Sequence, residues 1–160
     1  MKGHALSIAL AALLGSATTF AQAKHPATPT APAHPPVSAT PARNVGSMSD
    51  LMVKIIYPTS DALFYVESRT PKDEAEWNAF EGQMLMLAES ANLLMMPGRA
   101  RDQKQWMADA RLMLDAGALA VKAAKTKNVE SISALSDQLL ESCTTCHKHY
   151  RPGYGQKPQH

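Results

Sequence analysis

Four stretches of the chain repeat apolar side chains at intervals of three and four, the period that lines them along one face of an α-helix. In the second stretch Trp77, Phe80, Met84, Leu87, Ala91 and Leu94 step this way. In the third the stripe is Trp106, Ala110, Met113, Gly117 and Ala120. In the fourth it is Val129, Ile132, Leu135, Leu139, Cys143 and Cys146. The first stretch gathers Met52, Ile55, Ile56 and Thr59. No sustained two-residue alternation occurs, so strands are not expected. Four amphipathic stretches with short links predict an all-α fold, an antiparallel four-helix bundle.

The punctuation agrees with these stretches. Ser47-Met-Ser-Asp50 can cap the first, which runs to about Val66. Pro58 lies inside it, lacks an N–H and meets the carbonyl of Lys54, so a kink or break is expected. That kink either sets how Met52 is presented or is simply tolerated. The second helix opens with Thr70 as N-cap, Pro71 in first position and Asp73 as capping-box partner, and Pro97-Gly98 ends it near Met96. The third runs from about Asp102 to Lys125. Asn128 caps the fourth, which continues to about Tyr150, before Pro152 and Gly153. Gly117 breaks the pattern of its stripe, since a mid-helix glycine costs about 1 kcal/mol against alanine. It is either a point of close approach, by a neighbouring helix, a second subunit or a bound group, or a glycine without a role.

The ends of the chain differ in composition from these stretches. Lys2, an apolar run from Ala5 to Leu14 and Ala21-Gln22-Ala23 have the layout of a signal peptide over 1–23. The run is short of the roughly 20 residues of a membrane span. Retention as an anchor is the alternative. Residues 24–44 are rich in Pro, Ala and Thr and read as a disordered tether whose His25 and His34 are solvated. The folded domain is expected at 45–154 and a flexible tail with His160 at 155–160. Charge adds little. The balance is +2, and loss of Lys2 with the leader leaves 15 basic and 14 acidic residues. Nothing resembles a nucleic-acid surface. No nucleophile–base pair or phosphate loop is present, so no enzyme is expected.

The chain's two cysteines fall in Cys143-Thr-Thr-Cys146-His147, the C-x-x-C-H pattern of c-type haem attachment. Each thiol can add to one haem vinyl group, and the histidine can serve as proximal iron ligand. Spacing of i, i+3 and i+4 puts Cys143, Cys146 and His147 on one helical face. A thioredoxin-like pair would need a βαβ setting, and a structural zinc site a fuller ligand set. A C-x-x-C disulfide would close too small a loop to help the fold. Covalent haem attachment in bacteria takes place outside the cytoplasm, so leader and motif support each other and imply a periplasmic location.

A motif at the end of a fourth amphipathic helix resembles the class II c-type cytochromes, the cytochrome c-prime family and its low-spin relatives. Cys143-Thr-Thr-Cys146-His147-Lys-His-Tyr150-Arg151 is similar to that family's C-x-x-C-H-x-x-aromatic-Arg ending, and the likeness covers about Val45 to Arg151. It implies one haem c per chain near one end of the bundle, with a distal face lined by the first helix. Low-spin members place a methionine there and high-spin members an apolar residue. Met52 is the preferred distal ligand and Met48 the alternative, while both could simply pack, as methionine often does. The resemblance puts Arg151 near a haem propionate, against a solvated helix-end arginine. His149 is expected on another side of the helix, exposed. Trp77, Trp106, Met84 and Met113 are expected in the core.

The function expected is that of a periplasmic monohaem carrier of single electrons with redox proteins as partners. The alternative is a five-coordinate haem protein that binds nitric oxide or carbon monoxide. A third reading is a redox subunit tethered to a larger enzyme through the Pro-rich segment. The small-residue patch of Ala116, Gly117 and Ala120 leaves a homodimer open.

Overall fold

The computed structural model describes residues 42–155, and every regular element among them is helical. The fold is all-α. The expected leader, the tether apart from residues 42–44, and the tail beyond residue 155 lie outside the described residues.

Helix α1 (Met48–Leu51) starts at a full capping box. The Ser47 hydroxyl accepts from the Asp50 N–H at 3.1 Å, and the Asp50 carboxylate accepts from the Ser47 N–H at 3.0 Å. A π turn over Met52–Ile56 comes next and leads into α2 (Tyr57–Phe64) with right-handed helical backbone at both junctions. The break expected at Pro58 is therefore replaced by a widened turn. The Tyr57 N–H reaches the Met52 carbonyl, five residues back. The extra residue in the turn makes room for the proline ring near Lys54 without ending the helix.

Helix α3 (Glu74–Met95) is capped by Asp73, whose carboxylate accepts from the Glu76 N–H at 2.9 Å. This corrects the expected start at Thr70. The Thr70 hydroxyl donates instead to the carbonyls of Val66 and Glu67 and so closes the preceding turn. Asp102 precedes α4 (Gln105–Lys125) and accepts from the backbone N–H groups of Lys104 and Trp106. The fourth stretch is two helices, α5 (Val129–Ser133), capped by Asn128, and α6 (Ser136–Tyr150).

The stripes of α3 and α4 are buried along their whole length. Helix α4 packs along α3 and also against α6, while α2 and the π turn pack on α3. The Trp106 indole N–H donates to the Leu94 carbonyl at 2.8 Å, tying the start of α4 to the end of α3. Gly117 is a point of close approach: a Cβ there would lie 2.7 Å from Cα of Ala88 on α3. Ala116 and Ala120 are fully buried beside it. The patch thus packs inside the chain, one of the two placements the sequence left open. Among the described residues no helix is long and apolar enough to cross a membrane.

Candidate functional site

Cys143, Cys146 and His147 lie on one face of α6, as their spacing requires, and all three are half-buried. The thiols are free. The buried hydroxyl of Ser142 donates to the Leu139 carbonyl at 2.7 Å and approaches Cys143 Sγ at 4.0 Å. Met52, the first residue of the π turn, shares their surroundings. Three cavities of about 440, 180 and 40 Å³ border these residues. Met52 and His147 line all three, and each cysteine lines two. The largest alone falls in the range of roughly 300–1,000 Å³ usual for small-molecule and cofactor sites.

The walls differ in character. The innermost cavity is closed by Ile56, Leu94, Ala110 and Met113, so Met113 is both a core residue and part of this wall. Trp106, Met48, Arg101 and Arg151 line the 180 Å³ cavity. Met48 lines only that one, whereas Met52 borders all of the space facing His147. Arg151 is exposed, borders two of the cavities and carries its guanidinium 5.8 Å from the Tyr154 ring centre. Among the described residues, Val53 and Tyr57 are exposed apolar side chains on the rim of the largest cavity.

Burial sets the protonation states. It pushes the Cys143 thiol above its ordinary value. Burial, then the negative charge of Asp109, then Cys143 itself push the Cys146 thiol up to about 11. Burial, and next the positive charge of Arg151, hold His147 below the ordinary histidine value. The imidazole is therefore neutral at neutral pH, the form that binds a metal. Two half-buried protonated thiols, a neutral imidazole and a thioether around a shared space can anchor a planar reactive group and ligate its metal. Among the described residues no three His, Cys, Asp or Glu side chains are placed so that together they could hold a metal ion. A bare zinc ion would find too few of its usual ligands here.

Two features were missed in the sequence. Asp109 is 2% exposed and lines the innermost cavity. One carboxylate oxygen accepts from Gln105 Nε2 at 2.8 Å, and the other lies 2.7 Å from His149 Nδ1. His149 is exposed, as expected, but its ring is tied to a buried acid. A lone acid three residues after Trp106 and four before Met113, on the flank of the stripe, was the available signal. The second feature is the Tyr150 hydroxyl, which donates to the Asp102 carboxylate, while the Tyr150 ring meets Trp106 edge-on at 4.8 Å. The end of α6 is thereby held against the start of α4.

No protein-family model, curated protein or solved structure matches the chain.

Proposed function

We propose that the protein is a periplasmic monohaem c-type cytochrome of the class II kind, an antiparallel four-helix bundle that carries single electrons. Cys143 and Cys146 hold a haem c by thioether bonds, and His147 and Met52 ligate its iron. The observation that carries this reading is that Met52 and His147 border the same three cavities, beside both thiols of the C-x-x-C-H motif. A haem fits this donor set and this space: the inner wall is apolar, and a guanidinium, that of Arg151, stands at the edge where a propionate can be met.

When bound, the haem supplies a one-electron couple, and histidine–methionine ligation raises its potential. The chain's own residues do the rest. The half-buried thiols stay protonated until they are alkylated. The depressed pKa of His147 keeps a lone pair available for the metal. The π turn carries Met52 into the cleft, and Ile56, Leu94 and Met113 exclude water behind it. Val53 and Tyr57 form an apolar rim suited to a passing redox partner.

The test is a visible spectrum of the full chain produced with a haem-attachment system. The oxidised protein is expected to show a weak band at the red edge of the visible, from sulfur-to-iron charge transfer. Met52→Ala is expected to lose it and to bind carbon monoxide when reduced. An unchanged spectrum in that variant would sink the Met52 assignment. Carbon monoxide binding by the reduced wild type would favour the five-coordinate, gas-binding reading.

A further inference from the structure

Resting on the haem reading above, we propose that Asp109 is a buried charge that lowers the reduction potential of the centre held in the cleft. Asp109 is 2% exposed and shares the wall of the innermost cavity with Met52, Cys143, Cys146 and His147. Its two oxygens are held by Gln105 and His149, at 2.8 and 2.7 Å. Among the described residues the basic side chain within ion-pair distance of it is this exposed histidine, not a lysine or arginine. Arg101 and Arg151 also border the cleft, but both are exposed at its mouth, where water screens them. A carboxylate in a dry wall acts at longer range than one in solvent. A nearby fixed negative charge favours the oxidised, more positive state of an iron centre, and so lowers its potential.

The test uses two variants of the full chain with haem attached, titrated beside the wild type at one pH in one buffer. Asp109→Asn has the same shape. Its amide can accept from Gln105 and donate to His149, so the bonds remain while the charge is removed. Gln105→Lys keeps Asp109 and brings an ammonium to its oxygen from an exposed position. Both variants are expected to keep the helical content and covalent haem of the wild type and to show a more positive midpoint potential. An unchanged or more negative potential in either folded, haem-bearing variant overturns the proposal. So does a loss of thermal stability in Asp109→Asn without a shift in potential, the signature of a purely structural carboxylate. If Asp109→Asn does not fold, Gln105→Lys decides. A wild type without covalent haem fails at an earlier step and overturns the haem reading along with this one.

Discussion

Two stretches of α4 meet their neighbours differently. In its second half Ala116, Gly117 and Ala120 close on α3 so tightly that a single added methyl would meet backbone at 2.7 Å. In its first half Trp106, Asp109, Ala110 and Met113 border unfilled space shared with the π turn and α6. Natural cores are close-packed, with few voids larger than a water molecule. Where α4 meets α3 at Gly117 the interface is filled to backbone contact, whereas around Asp109 and Met113 the helix borders open space. Cavities of about 350 and 380 Å³ lie elsewhere, the second against Leu119 and Ala123 of α4, so what sets this space apart is its lining by the two thiols, Met52 and His147.

This contrast can be broken from either side. The largest stability loss is expected from Met84→Ala, in the filled region. Met84 is fully buried, and truncating such a side chain costs about 2–5 kcal/mol, a loss to be read from chemical denaturation. Gly117→Ala should cost about 1–3 kcal/mol, because the new methyl must push α3 away at Ala88. If the variant proves as stable as the wild type, the seam is looser than described. Met52→Leu, in the open region, should cost under about 1.5 kcal/mol as a volume-conserving change. It should nonetheless abolish the red-edge band of the oxidised protein. A large effect on function with a small one on stability is what separates a ligand site from a core.

A smaller effect concerns acid. In the haem-free chain His147 is held below its ordinary value of 6.5, so the unfolded state takes the proton first. Its contribution to stability is full above 6.5 and is lost as pH falls through 6.5 towards the depressed folded value. Thermal melts across that window should fall less steeply in His147→Gln. An identical slope would show that burial of this ring is not what acidification disturbs.

Much of this architecture was legible in the sequence because it is set locally. The stripes of α3 and α4, the Ser47–Asp50 capping box and the Asn128 cap depend on residues a turn or two apart. The shared face of Cys143, Cys146 and His147 comes from spacing alone. Local chemistry misled where two partners compete: the Thr70 hydroxyl can cap the next helix or close the preceding turn, and here it bonds Val66 and Glu67. At Pro58 the missing donor foretold a disturbance but not its form, since a kink and a π turn answer the same steric conflict. The link between Asp109 and His149 joins residues forty positions apart and has no local signature. The same holds for the close approach at Gly117, where the sequence left open which neighbour came near.

The most direct test of the account is whether haem is covalently held by the full chain made with a haem-attachment system. The protein should be denatured, extracted with acidified organic solvent and weighed intact by mass spectrometry. One haem is expected to stay with the polypeptide, and to be lost to the solvent in a Cys143→Ala/Cys146→Ala variant. A wild-type chain that leaves its haem in the solvent, or never acquires one, would contradict the account.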